Sequence, residues 1–164
     1  MKTTWIVLAV TVTLLVTVSS ARADFAAGLT AYQKGDYETA FKEWQPLAES
    51  GGPDAQFNLA LMYEGGQGVP RNYEEAARWF MRAANQGHVR AQHNLGAMYG
   101  IGQGVRRDYI QAYKWLSLCA AKGGSGCASQ RDQIEKKLKP SKLAEAQRLT
   151  GEWQPKEETP PPAQ

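Results

Sequence analysis

The side chains with the most distinctive chemistry in this 164-residue chain are its two cysteines, Cys119 and Cys127. Two thiolates can hold a metal ion together with further ligands, or they can join as a disulfide. No Cys-x-x-Cys pattern and no nearby pair of histidines accompanies them, which argues against a zinc site. In an oxidising compartment such a pair is expected to form a disulfide, so the outcome depends on whether the chain is exported.

Catalytic chemistry has little support among the other polar residues. A catalytic role for His88 or His93 would require a neighbouring nucleophile and an orienting acid, and structural roles are favoured for both. No serine begins a Ser-x-x-Lys motif, so acyl-serine chemistry of that type has no support. The glycines from Gly100 to Gly104 join two predicted helices, and we interpret them as a turn that needs positive φ rather than as a phosphate cradle. We therefore predict that the protein is not an enzyme and has no cofactor or metal.

Residues 1–23 have the pattern of a secretory signal peptide. Lys2 precedes an apolar run from Trp5 to Val18, and Ala21 and Ala23 occupy the positions that a signal peptidase reads. The alternative is an uncleaved anchor, but the 14 residues of the run would cover only about 21 Å as a helix, against a hydrocarbon core of about 30 Å. We expect cleavage after Ala23, no membrane span in the mature chain, and a periplasmic or secreted location.

The charge balance gives no sign of nucleic-acid binding. The chain has 19 basic and 16 acidic residues, and removal of Lys2 and Arg22 with the leader leaves 17 basic against 16 acidic. Basic and acidic residues alternate along the chain without a long basic stripe. We predict no nucleic-acid partner, and a mature chain long enough for one domain with its own core.

Two stretches of the chain are nearly the same sequence, 36 residues apart. Residues 55–69 are AQFNLALMYEGGQGV, and residues 91–105 are AQHNLGAMYGIGQGV. The match continues through Tyr73 and Tyr109 and through Trp79 and Trp115. A fixed period of this size predicts stacked repeats of two helices each, because one helix pair cannot bury its apolar face alone.

The predicted organisation follows from this period. Asn72 and Asp108 are the expected N-caps of the second helix in each full repeat. The segments in chain order are a signal peptide (1–23), a degenerate N-terminal repeat (24–54), two full repeats (55–90 and 91–127), C-terminal capping helices (128–151) and a Pro-rich tail expected to be disordered (152–164).

These residues together resemble the Sel-1-like repeat family, a relative of the tetratricopeptide repeats. The family signature appears here as Ala91, Leu95, Gly96, Tyr99, Gly102, Gly104, Val105, Asp108, Ala112, Trp115, Ala120, Ala121 and Gly123. The preceding repeat departs from the signature mildly, at Ala60 and at Asn72. The resemblance implies an all-α, right-handed solenoid of antiparallel helix pairs that works as a protein–protein interaction module.

The spacing of the cysteines resembles that of exported, cysteine-rich family members known from Helicobacter. In those proteins such a pair joins adjacent helices through a disulfide, and the resemblance implies the same bond between Cys119 and Cys127. It also implies an exported protein of a Gram-negative bacterium.

Resemblance to tetratricopeptide domains further implies a partner-binding concave face built by the first helix of each repeat. The residues expected there are Phe57, Asn58, Leu61, His93, Asn94 and Ala97. Asn58 and Asn94 are the informative pair, since an amide can hold a peptide backbone by donor and acceptor together. The alternative role for both is ordinary helix surface or bonding between helices.

We therefore predict a monomeric adaptor that binds a protein or peptide of the cell envelope. An alternative is a binder of peptidoglycan peptides or a weak cell-wall or β-lactam-related enzyme. A third hypothesis is a purely structural subunit or a small effector delivered to host cells, and the sequence does not separate secretion past the outer membrane from periplasmic residence.

Overall fold

The computed structural model describes residues 24–158, and this part of the chain is helical with no strand. The fold class predicted from the repeats is confirmed, while the predicted signal peptide lies outside the described residues. The eight helices within 24–158 are α1 (24–33), α2 (Tyr37–Glu49), α3 (Pro53–Gly65), α4 (Tyr73–Asn85), α5 (Val89–Ile101), α6 (Tyr109–Ala121), α7 (Cys127–Glu135) and α8 (Pro140–Gly151). From α2 to α7 successive helices pack against each other, whereas α8 packs mainly against α6.

Side-chain caps start the second helix of each full repeat. The Oδ1 atom of Asn72 accepts hydrogen bonds from the backbone N–H groups of Glu74 and Glu75, and Asp108 does the same at the start of α6. Both cap residues have the same extended backbone, with φ of −148°. The predicted caps are confirmed, and they fix where α4 and α6 begin.

The glycine-rich loops fold as turns that require positive φ. Gly66 and Gly102 end α3 and α5 in the left-handed conformation, with φ of 70° and 79°. Gly68 and Gly104 also have positive φ, and each lies directly against the backbone of an earlier second helix. A Cβ atom at Gly68 would lie 2.6 Å from the carbonyl oxygen of Tyr37, so the loop closes onto the preceding repeat only because a side chain is absent.

The core runs along the solenoid as three packed clusters. Large side chains that are almost completely buried in them are those of Trp44, Phe80 and Leu116, which are 2%, 0% and 1% exposed. Alanines such as Ala76 and Ala84, both fully buried, allow neighbouring helices to approach closely. The aromatic and leucine side chains fill the spaces that remain, as close packing requires.

The cap region is joined to the last full repeat by a disulfide. Cys119 on α6 and Cys127 at the start of α7 are bonded, with their Cα atoms 5.9 Å apart. Both are buried. The predicted pairing is confirmed. Pro140 stands in the first turn of α8, where its missing N–H and fixed φ suit a helix start, so it opens that helix as well as separating it from α7.

Residues 152–158 form a C-terminal strap that lies against the solenoid. The ring of Trp153 packs edge-on against Trp115, with centroids 6.3 Å apart. The backbone N–H of Lys156 donates to the carbonyl oxygen of Asn85 at 2.8 Å, and Glu158 reaches back to α3 and α4. The tail was predicted to be disordered over residues 152–164; the described part is instead held by an aromatic anchor and an ion pair.

Candidate functional site

The residues predicted to bind a partner lie on α3 and α5 at equivalent positions of the two full repeats. Five of the six are partly exposed, and we call this set the open face: Asn58, Leu61, His93, Asn94 and Ala97. Within each helix they are one turn apart or adjacent, which places them on one side of the helix. The surface that they form is small and of mixed polarity.

Phe57 does not belong to the open face, because the structure places it in the core. Its side chain is 3% exposed. The ring stacks on His88 with centroids 4.7 Å apart and lies 5.7 Å from the ring of Phe80. The guanidinium carbon of Arg90 lies 4.5 Å from its centroid. The ring is therefore enclosed between helices and unavailable to a partner in this conformation.

His93 occupies the equivalent position of the next repeat and is partly exposed. The residues that would cover it, 36 positions after His88 and Arg90, are Gly124 and Gly126, which have no side chain. Its Nε2 atom is nevertheless buried and has no hydrogen-bond partner within residues 24–158. The equivalent position therefore differs between the two repeats: Phe57 is buried in the first, and His93 is partly exposed in the second.

The side-chain amides of Asn58 and Asn94 are the distinctive feature of the open face. Both are partly exposed, and neither forms a side-chain hydrogen bond within the described part of the chain. Leu61 and Ala97 follow them by one helical turn, so each amide has an apolar neighbour. The arrangement offers two donor–acceptor groups one repeat apart, each beside a small apolar contact.

Two glutamine side chains, in contrast to these partly exposed asparagines, are buried and hydrogen-bonded, and the sequence analysis did not single them out. Gln56 and Gln92 are fully buried. Their Nε2 atoms donate to the carbonyl oxygens of Ala48 and Ala84, at 3.0 and 3.2 Å. These bonds tie each first helix to the end of the preceding second helix. The signal that could have identified them is a polar residue recurring with the period inside an otherwise apolar stretch.

His88 joins the two full repeats as a cap. Its Nδ1 atom accepts a hydrogen bond from the backbone N–H of Ala91 at 3.1 Å, so Nε2 carries the proton and faces Asp54 Oδ1 at 3.2 Å. Burial lowers the pKa of His88; Asp54 opposes this, while Arg90 adds to it. The neutral ring is therefore the form that caps α5, which supports the structural role inferred from the sequence.

Groups of potential metal ligands and membrane-spanning helices are both absent from the described residues. No three side chains among the histidines, cysteines, aspartates and glutamates of residues 24–158 are grouped so that they could hold a metal ion. Over the same range, every helix is too short or too polar to cross a bilayer.

The fold defines a class: all-helical solenoids built from stacked two-helix repeats. The family model for the Sel1 repeat matches residues 53–88 and 89–124. No curated protein matches this chain significantly in sequence.

Two solved structures show the same architecture. One is a protective antigen present in uropathogenic Escherichia coli strains that displays an SLR fold; it is 31% identical, with a TM-score of 0.76 over 81% of this chain. This chain spans only 29% of that protein's length. The other is a Sel1 repeat protein from Oxalobacter formigenes, also 31% identical, with a TM-score of 0.63 over 69% of this chain and 88% of that one.

The chain belongs to the Sel1 repeat family. The fold of this family is that of a protein–protein interaction scaffold, in which stacked helix pairs supply a surface rather than an enclosed pocket.

Proposed function

We propose that this protein is an exported adaptor that binds an extended segment of a partner protein on the open face. The observation that carries the proposal is the pair of unpartnered amides, Asn58 and Asn94, at equivalent positions of consecutive repeats. An amide can accept from and donate to the same peptide unit of a bound strand, and two of them fix its direction and register. Of the two alternative roles, bonding between helices is not seen for either residue among the described contacts, and ordinary helix surface is the alternative that the test below must separate from binding.

Export is supported by the disulfide together with the leader-like sequence. A buried bond between Cys119 and Cys127 is expected to persist in an oxidising compartment and to be absent from a reducing cytosol. The proposed location is the periplasm or the cell exterior, after cleavage that leaves a chain beginning at Asp24.

The test is proximity labelling from the mature protein in its native cell envelope. The double variant Asn58→Ala with Asn94→Ala removes both amides from partly exposed positions, so the fold is expected to survive. Gln45→Ala with Gln147→Ala is the matched control, because both glutamines are exposed and lie away from α3 and α5, on α2 and on the capping helix α8. Partners lost in the first variant and kept in the control support the open face. An unchanged partner set in both variants refutes it.

Peptidoglycan peptides are the competing ligand for the same face. A soluble muropeptide that raises the midpoint of thermal unfolding of the wild type, but not of the amide variant, would assign the face to cell-wall peptides instead.

A further inference from the structure

A second concave surface lies on the other helix of each repeat, where α4, α6 and the turn before α8 enclose a cleft of about 1110 Å³. We call it the basic cleft, after the six basic side chains that line it: Arg106, Arg107, Lys114, Lys137, Lys139 and Lys142. One acidic side chain, Asp108, lines it too. The whole chain carries a net charge of only +3, so the positive charge is concentrated here.

Most of this charge is not neutralised by the protein. Asp108 uses Oδ1 as the cap of α6. Lys142 pairs with Glu145 at 2.8 Å. Within residues 24–158 the other five cations form no ion pair. Like charges gathered in this way repel one another, and a bound anion would relieve the repulsion.

Aromatic rings hold several of the cations in place. The guanidinium carbon of Arg107 and the Nζ atom of Lys137 lie 5.6 and 5.2 Å from the ring centroid of Tyr109. The Nζ atom of Lys114 lies 4.4 Å from the ring centroid of Trp115. Cations fixed against rings lose less conformational freedom when an anion arrives, and the rings add an apolar wall.

We propose that the basic cleft binds an acidic, extended segment of a partner protein, with carboxylates at the cations and an apolar side chain against the partly exposed ring of Tyr109. Charge complementarity selects the occupant: six basic side chains and one acidic side chain line an open groove, which suits carboxylates spaced along an extended chain. The site is independent of the open face, since it uses the second helices.

The chain itself supplies one example near the cleft of an extended segment whose carboxylate is bound by a cation on a second helix. The C-terminal strap runs beside the basic cleft, where the backbone N–H of Lys156 donates to the carbonyl oxygen of Asn85, a residue that also lines the cleft. Two residues later the carboxylate of Glu158 is bound by Arg82. The cleft repeats one of these elements, since Lys114 lies over the indole ring of Trp115 as Arg82 lies over that of Trp79, but no carboxylate of the described residues pairs with Lys114.

The experiment is fluorescence anisotropy with the full mature, disulfide-bonded chain and a fluorescein-labelled decapeptide of alternating glutamate and glycine with one central tyrosine. The same peptide with glutamine for glutamate is the uncharged probe. We expect the acidic peptide to bind more tightly than the uncharged one, with an affinity that falls as salt rises from about 50 to 300 mM. Equal binding of both peptides overturns the proposal.

Substitutions of basic residues test whether the acidic peptide binds in the basic cleft. Arg107→Gln with Lys114→Gln is expected to weaken binding about tenfold. Lys34→Gln with Lys42→Gln removes the same charge from exposed positions in the N-terminal repeat and is expected to change the affinity less than about twofold. If Lys114→Gln impairs folding, Arg106→Glu with Lys139→Glu, both at exposed residues, replaces it. Equal losses in cleft and control variants indicate unspecific attraction and overturn the proposal. Displacement of the peptide by a single-stranded oligonucleotide or anionic vesicles at lower concentration than by unlabelled peptide overturns the assignment to protein.

Discussion

Arg82 and Glu158 are joined by a two-point ion pair although 76 residues separate them in sequence. The Nε atom of Arg82 donates to Oε1 at 3.0 Å, and Nη2 donates to Oε2 at 2.7 Å. The guanidinium carbon also lies 4.5 Å from the ring centroid of Trp79. This pair holds the end of the C-terminal strap on the solenoid.

Glu158→Gln is expected to lower the free energy of unfolding by about 1–2 kcal/mol at pH 7, since the pair is only partly exposed to solvent. The hydrogen bonds from Arg82 lower the pKa of Glu158 below its ordinary 4.5; burial opposes this, and Gln56 contributes to the lowering. A carboxylate with a lowered folded pKa stabilises above pH 4.5 and loses that contribution as pH falls through the folded pKa. Urea unfolding should therefore show a wild-type advantage at pH 7 that shrinks in acid. Glu157→Gln, at the exposed neighbour, should show none. An advantage that persists unchanged at acid pH would contradict the role of the pair.

His88 is expected to make stability depend on pH in a different window. Burial lowers its folded pKa below 6.5, so the unfolded chain takes up a proton first as pH falls. The contribution of the neutral cap is complete above about 6.5 and is lost as pH falls through the folded pKa. Thermal unfolding between pH 7.5 and 5 should show a decline for the wild type. His88→Asn, which keeps an N-cap that does not titrate, should show a flatter profile. Parallel profiles would rule out His88 as the titrating group.

A side chain added at a glycine with positive φ can lower stability in two ways, through backbone strain and through overlap with a neighbouring repeat. Gly104 and Gly123 both have positive φ, but a Cβ atom at Gly104 would overlap the carbonyl group of Tyr73, whereas at Gly123 it would meet no atom within 4 Å. Gly123→Ala is expected to lose about 1–2 kcal/mol of stability from backbone strain alone. Gly104→Ala should lose about 1–3 kcal/mol more, because the loop must move off the preceding repeat. Denaturant unfolding measures both, and equal losses would show that close approach has no energetic role.

The disulfide is expected to make a modest contribution to the free energy of unfolding. It closes a loop with a sequence separation of eight, for which the chain-entropy argument gives about 2–3 kcal/mol. Adding reductant under conditions that cleave the buried bond should lower the denaturation midpoint of the wild type. Cys119→Ala with Cys127→Ala should unfold at one midpoint with or without reductant. A wild type whose midpoint is unchanged after full reduction, verified by thiol titration, would disprove this contribution.

The sequence predicted the repeats well because their signals are local and recur. The caps Asn72 and Asp108, the loop glycines and the cysteine pair each depend on nearby residues, and all appear where the period places them. Phe57 was placed wrongly on the binding face, because its exposure depends on His88, a side chain that the equivalent position of the next repeat, Gly124, does not have.

The features that the sequence did not predict are formed by segments that lie far apart in the chain. The cations of the basic cleft come from the loop before α6, from α6 itself and from the residues around the start of α8, and only folding brings them together. The composition of residues 152–164 is typical of a disordered tail. Nothing local in that tail indicates that Trp153 and Glu158 find partners on earlier repeats.

The C-terminal strap changes how this solenoid should come apart. In an array whose units touch only their neighbours, each end can fray while the rest remains folded. Here the carboxylate of Glu158 accepts a hydrogen bond from Gln56, 102 residues earlier. The chain's last described residue is thus attached near the junction of its first and second helix pairs. Opening the cap must also break these contacts with α3 and α4, so fraying of the two ends is expected to be coupled.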